Sequence, residues 1–515
     1  MNLLDEIRRV ARRTFAIKRL RPEQEQAMLA ILGGRDALVA LPTGFGKSLI
    51  YQVPAMILKR PTVVVSPLIA LMADQERSLK SRGVPVVTFH SRLRVAERRA
   101  AVERLERSGH LVVLTTPETI ESKTMAPLIE RARPALLCVD EAHCISEWGH
   151  DFRPSYLRLN AARERLGNPP TLALTATATP RVREDIAARL SLRKALVLTA
   201  PAHRKSLHLS VEVVPGPQKN TAAGKLIKGL RRPGIIYCAT TVAVDQLTNV
   251  LKRVGIPVVR YHGKMSAADR DAAQRRFMEP KGRLIMVATS AFGMGIDKPN
   301  IRYIVHYHAP GSLEQYVQEA GRAGRDGNAA DCVLLFDEAD LDIQEHLQTL
   351  SRPSVRHLLG LEKALVAWAE ESRTPTASTL AFSAGVPARI AEALLVDLED
   401  AGLITHSKDK AIAIAGSLPA FRAGARDLIA KVKTAQFEGE RKLKTVAAYA
   451  TSLECRSVFI RRYFGEDNPP RCGTCDRCRQ SAIPVLVASA PPLERKRRRR
   501  RRSKRRAPPP SSPGG

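Results

Sequence analysis

Nowhere in its 515 residues does the sequence hold an apolar run of 18, so no segment is expected to cross a membrane. The first residues, Met1 to Glu6, lack the basic and apolar regions of a signal peptide. Cysteine is scarce. Eight cysteines over so long a chain cannot make a disulfide framework, and Cys138, Cys144, Cys238 and Cys332 are scattered. These absences predict a reduced, cytosolic protein. Acidic residues are short too, 51 against 83 Lys and Arg, for a net charge of +32. Eleven of the basic residues fall between Arg495 and Arg506, and subtracting them from +32 still leaves +21. Such a surplus points to a polyanionic partner, against the plainer reading of a solvated basic surface. The length suits three or four domains.

What is present begins with Leu41-Pro42-Thr43-Gly44-Phe45-Gly46-Lys47-Ser48. Gly44 and Gly46 allow backbone N–H groups to converge on phosphates, Lys47 supplies charge, and Ser48 supplies a hydroxyl for Mg²⁺. The full pattern asks for glycine where this chain has Leu41. About 90 residues on, Leu136–Val139 is an apolar run that ends in Asp140-Glu141-Ala142-His143. A buried strand that delivers Asp140 to the metal and Glu141 to the attacking water is what phosphoryl transfer needs. The two signatures together predict ATP binding and hydrolysis.

Short β-rich runs alternate with helical stretches to about residue 340, which predicts an α/β fold with parallel sheets. The runs are Thr62–Ser66, Leu111–Thr115, Ala135–Asp140 and Thr171–Thr175, then Gly234–Cys238, Pro257–Tyr261, Arg283–Ala288, Ile301–His306 and Cys332–Phe336. Two α/β domains joined near residues 200–230 are expected, and only the first carries a phosphate loop. The second holds Gln318-Glu319-Ala320-Gly321-Arg322-Ala323-Gly324-Arg325. A guanidinium entering the nucleotide site from another domain would stabilise transition-state charge and tie hydrolysis to domain closure. The plain alternative is a surface Arg/Gly loop. Upstream, Asp297 is placed to reach a ribose or one of these arginines.

The stretch Asp140-Glu141-Ala142-His143-Cys144-Ile145-Ser146-Glu147-Trp148-Gly149-His150-Asp151-Phe152-Arg153-Pro154 resembles motif II and the aromatic-rich loop of RecQ-family DNA helicases of superfamily 2. The resemblance runs from about residue 15 to 340 and resumes from about 425 to 480. It implies two RecA-like motor domains, 1–200 (ATP-binding) and 201–345, driven by ATP and Mg²⁺ (Ser48, Asp140) and moving 3′→5′ on DNA. Arg325 is implied as the arginine finger, with Arg322 and Gln318 beside it. Arg21 and Gln24 resemble the adenine-reading motif, although the aromatic usual three residues before Leu20 is Ile17 here. Trp148 and Phe152 suit stacking on unpaired bases and Arg153 suits a phosphate, while Trp148 also reads as an ordinary core residue. Thr116, Thr240 and Thr289 resemble DNA-tracking positions. Single-stranded and forked DNA, and a single-strand-binding protein, are the implied partners of a monomer. Its implied place is the bacterial cytoplasm and nucleoid, or the nucleus in a eukaryote.

Cys455, Cys472, Cys475 and Cys478 form C-x16-C-x2-C-x2-C, a spacing that wraps a tetrahedral Zn²⁺ and that an iron–sulfur cluster also uses. The resemblance implies structural zinc within a helical module, 420–482, whose loss leaves the ATP site directly untouched. Residues 350–418 read as a winged helix placed before the zinc rather than after it. Gly385 lies in its helix-turn-helix, and Ser407 to Lys410 turn its wing. It either binds duplex DNA or serves as a packing spacer; Glu392, Asp397, Glu399 and Asp400 make its second helix a poor face for a groove. No HRDC domain is expected after it, and 483–515 reads as a disordered basic tail.

Overall fold

The computed structural model describes residues 2–107, 109–146, 153–280, 282–293, 296–407 and 411–482. The expected stacking residues Trp148 and Phe152, the wing turn 408–410 and the basic tail 483–515 lie outside the described residues.

Two all-parallel sheets dominate. The first contains β1 (Ala37–Ala40), β2 (Thr62–Val65), β3 (Val86–Phe89), β4 (Val112–Thr115), β5 (Leu136–Val139), β6 (Thr171–Thr175) and β7 (Leu196–Thr199), in the order 3-4-2-5-6-1-7. The second contains β8 (Leu207–Val213), β9 (Gly234–Tyr237), β10 (Val258–Tyr261), β11 (Ile285–Ala288), β12 (Tyr303–His306) and β13 (Ala330–Phe336), in the order 10-11-9-12-13-8. Four of these strands, β1, β3, β7 and β8, had no predicted counterpart. β1 is only four residues long and β7 alternates half-buried with exposed positions, so neither stands out as a long apolar run. The join expected across 200–230 is narrower, because β7 belongs to the first sheet and β8 to the second. Only residues 200–206 connect them.

Apolar layers cover both faces of each sheet, as parallel strands require. The strand ends therefore carry the loops that do chemistry, and the phosphate loop follows β1 while Asp140 and Glu141 follow β5.

Beyond the sheets, helices Ala377–Ser383 and Ala388–Asp400 flank Gly385, whose φ of +63° suits glycine at the turn. An antiparallel hairpin, β14 (Ile404–His406) and β15 (Ile412–Ile414), completes a winged-helix outline. The second helix buries Ile390, Ala391, Ala393, Leu394, Leu395, Val396 and Leu398, and exposes Ala388, Arg389, Glu392 and Asp400. Its Glu399 accepts from Arg158 of the first domain at 2.8 Å, and Asp397 pairs with Lys431. A 34-residue helix, Leu418–Thr451, then runs from this unit to the four cysteines. Cys455, Cys475 and Cys478 share an apolar cluster with β8, β9, β12 and β13, so the cysteine region and the second sheet have one continuous core. Among the described residues no single helix is long and apolar enough to cross a membrane.

Candidate active site

The phosphate loop turns at Gly44 and Gly46, both with φ of +79°, the left-handed region closed to most side chains. Lys47 donates from Nζ to the carbonyls of Leu41 (2.9 Å) and Pro42 (3.4 Å), which folds its amine back over the loop. Burial lowers the Lys47 pKa, against the pull of Glu141 and Asp140. Opposite it, burial and then Glu141 raise the Asp140 carboxyl to about 7, with Lys47 pulling the other way. Two carboxylates beside one half-buried lysine form a set that a divalent cation suits.

Glu141 itself sits at φ 48°, ψ 45°. A non-glycine residue held there stores strain of order 1–3 kcal/mol, a common mark of a working site. Its N–H donates to Asp140 Oδ1 at 3.0 Å, and its carboxylate lies 3.4 Å from His143 Nδ1. The same His143 nitrogen is 3.1 Å from Thr175 Oγ1, at the end of β6. Tyr156, just beyond the aromatic-rich loop, donates its hydroxyl to the Asp140 carbonyl at 3.0 Å. The Glu141 carboxylate thus connects through His143 to β6, while Tyr156 anchors the backbone of Asp140.

Gln24 departs from expectation. Its Nε2 donates to the carbonyls of Phe45 and Gly46, each at 3.0 Å, and its Oε1 accepts from the Arg21 N–H at 3.0 Å. Its amide therefore braces the phosphate loop instead of offering an open edge to adenine. Arg21 stacks its guanidinium 4.2 Å over the Phe45 ring, an aromatic partner supplied by the phosphate loop itself.

From the second sheet, the arginine loop meets this site. Gly321 packs against Thr43, and Gln318 lines the same crevice as Pro42, Thr43 and Thr177. Arg325 donates to the Ile296 carbonyl (2.8 Å) and to Asp297 Oδ1 (2.9 Å), and its Cγ would lie 3.5 Å from a Cβ on Gly44. Arg322 is different. It is buried and donates to the Gly293 carbonyl of its own domain. Sequence reasoning missed Arg204, which lies on the 200–206 connection and reaches the same loop; no motif marks it.

The described residues expected to contact DNA already make hydrogen bonds within the protein. The Thr116 and Thr240 hydroxyls accept from the N–H groups of Thr119 and Ala243, capping the helices that follow β4 and β9. Arg153 donates to the Pro67 carbonyl at 3.0 Å, tying the aromatic-rich loop to the segment after β2. Thr289, half-buried after β11, donates its N–H to the Tyr261 carbonyl.

Among the described residues, the sulfurs of Cys455, Cys472, Cys475 and Cys478 form the one cluster of metal-ligating groups, all within 4.8 Å of one another. Cys455 is 3.6 Å from Cys472 and 3.9 Å from Cys475, sulfur to sulfur. Tetrahedral zinc with its ~2.3 Å Zn–S bonds sets sulfurs about 3.8 Å apart, so the four residues fit that ion. Gly473 turns with φ of +73°, and the Cys475 N–H points at the Cys472 sulfur.

Three family descriptions match the chain: DEAD/DEAH box helicase over residues 21–186, helicase conserved C-terminal domain over 218–327, and RecQ zinc-binding over 423–479. The probable ATP-dependent DNA helicase RecS of Bacillus subtilis is 37% identical over 354 residues, 68% of this chain and 71% of that protein. The ATP-dependent DNA helicase RecQ of the same organism is 38% identical, over 68% of this chain and 59% of that one. This chain spans only 39% of the rat ATP-dependent DNA helicase Q5, to which it is 40% identical. Among solved structures, Mycobacterium smegmatis Lhr bound to single-stranded DNA and AMP-PNP has a TM-score of 0.54 at 22% identity, over 82% of this chain and 61% of that one. At such identity the likeness concerns the fold. With the RecS match spanning over two thirds of both proteins, the chain belongs to the RecQ family of superfamily 2 helicases.

Proposed function

We propose that this chain is an ATP- and Mg²⁺-dependent DNA helicase that moves 3′→5′ along one strand of a tailed or forked duplex and serves DNA repair and recombination. One observation carries the reading: the arginine loop of the second sheet is seated on the phosphate loop of the first, Gly321 against Thr43 and Arg325 beside Gly44. Hydrolysis at such a site depends on how the two sheets sit together, which is how an ATPase becomes a motor. Relatives named as ATP-dependent DNA helicases support the choice of DNA.

In this reading the N–H groups around Gly44 and Gly46 cradle the β- and γ-phosphates, and Lys47 turns from Leu41 and Pro42 to meet them. Ser48 and Asp140 would hold Mg²⁺, which would supply positive charge to the phosphates. Glu141 orients the attacking water, and Arg325 meets the charge that develops on the γ-phosphoryl group. Gln318 sits beside the finger, Asp297 holds it, and Arg322 steadies the loop behind it. Arg21, stacked on Phe45, receives the base. Trp148 and Phe152 would stack on unpaired bases, with Arg153 holding their loop. Thr116, Thr240 and Thr289 would lie along the path of the strand. Cys455, Cys472, Cys475 and Cys478 would hold structural Zn²⁺. The winged helix acts as a packing spacer, since its second helix buries seven apolar residues and pairs Asp397 and Glu399 within the protein. The units of this motor are taken as 1–200, 201–345, 350–418 and 420–482, acting as a monomer on DNA coated by single-strand-binding protein, in the cytoplasm and nucleoid.

ATP hydrolysis stimulated by single-stranded DNA, and abolished in Lys47→Ala, is the expected result. DNA-independent hydrolysis, or none, would sink the proposal.

A further inference from the structure

The 200–206 connection between β7 and β8 is the covalent link between the two sheets, and Arg204 is its reach into the active site. Its Nη1 donates to the Gly324 carbonyl at 3.1 Å, and its Nη2 donates to the carbonyls of Gly321 (2.8 Å) and Ala323. Helix Leu313–Ala320 ends immediately before these residues, and the turns that follow it present backbone carbonyls toward the connection. A single planar guanidinium meets three of them. Those three carbonyls flank Arg322 and lead directly into Arg325. On its other side, Arg204 Nη1 would lie 3.5 Å from a Cβ on Gly44, the same distance as Arg325 Cγ. Connection, finger and phosphate loop therefore converge within a few ångströms. Burial, and the neighbouring Arg325, lower the Arg204 pKa, so the cation is held there against its own solvation and against a like charge.

We propose that Arg204 is the positioning residue for Arg325. By fastening the Gly321, Ala323 and Gly324 carbonyls to the connection, it makes the placement of the Arg325 guanidinium follow the angle between the two sheets. Arg204 makes and breaks no bond in the reaction. A merely structural cap on helix Leu313–Ala320 would lower stability and leave turnover of the folded protein unchanged. An arginine acting through Arg325 lowers turnover and adds nothing once Arg325 is gone.

This inference rests on the proposed ATP hydrolysis, and the test separates the two. Steady-state ATP hydrolysis with single-stranded DNA is measured on the full chain for wild type, Arg204→Ala, Arg325→Ala and the double variant. Arg204→Ala is expected to lower kcat about 10–100-fold with KM for ATP within about threefold. Arg325→Ala is expected to lose about a thousandfold, as removal of an arginine finger does. The double variant should match Arg325→Ala alone, because the two residues act as one unit. Arg204→Lys, which keeps the charge but not the fork, replaces Arg204→Ala if the latter does not fold, and should show a similar loss. Wild-type kcat in the folded Arg204 variant, or losses that multiply in the double variant, would overturn the inference. A wild type that hydrolyses no ATP defeats the functional reading itself, and this inference with it.

Discussion

The Gly321 backbone lies against the Thr43 hydroxyl, with no room between them for a Cβ. One is in the arginine loop of the second sheet and the other is in the phosphate loop of the first, so this contact fixes how closely the two halves of the active site approach.

Gly321→Ala should therefore hold the arginine loop off the phosphate loop. Nucleotide affinity stays within about threefold while kcat falls about tenfold or more, since a displacement near 1 Å at a reacting centre costs on that scale. Nucleotide titration beside steady-state hydrolysis measures both. Unchanged kcat would mean that the approach seen here is not the one used in turnover.

Asp140 gives a pH-dependent prediction. Its folded pKa of about 7 lies above its ordinary 3.8, so the folded protein holds this proton more tightly than the unfolded chain. Stability from this group is present below about pH 4 and is lost as pH rises through 7. Asp140→Asn should melt at a higher temperature than wild type at pH 8, with the difference closing toward pH 4, and should lose ATP hydrolysis throughout. Thermal melts across pH, without nucleotide or magnesium, provide the check. A variant less stable than wild type at pH 8 contradicts the burial described here.

Chelation should do more than melt a separate module. Cys475 and Cys478 share their apolar cluster with the second sheet, Tyr463 donates to Glu314 at 2.8 Å, and Arg183 of the first domain donates to the Phe464 carbonyl. Stripping zinc is predicted to lower the melting temperature of the second sheet as well, and hydrolysis with it. Loss of helix signal with full retention of ATP hydrolysis would contradict the shared core.

Arg389 is the exposed basic residue on the second helix of the winged unit. As that helix is committed to packing, Arg389→Ala should leave duplex affinity within about twofold. A reading helix would lose roughly 1–3 kcal/mol for such a contact. Binding titrations at a fixed salt concentration decide between them.

Much of this site was legible because it rests on short-range chemistry. Gly44, Gly46, Lys47, Asp140 and Glu141 announce themselves by spacing, and the C-x16-C-x2-C-x2-C pattern predicts where four sulfurs converge. What the chain order hides is which polar atoms spend their hydrogen bonds on the fold. Gln24 braces a loop, Arg322 secures Gly293, and Thr116 and Thr240 cap helices, each through a partner far away or on a backbone. Arg204 was invisible for the same reason, since its partners lie some 120 residues on. Buried pairs such as Arg163–Asp36 and Lys219–Asp340 look like surface charges until the sheets form. Short strands such as β1 lack a β-branched run, so only their neighbours in the sheet reveal them.

Unwinding of a 3′-tailed against a 5′-tailed DNA duplex, with ATP and Mg²⁺ and a Lys47→Ala control, tests the central claim most directly. A 3′→5′ motor separates the strands of the 3′-tailed duplex alone, and Lys47→Ala separates neither. Hydrolysis stimulated by single strands with no strand separation on either substrate would contradict it and leave a translocase or annealing factor in its place.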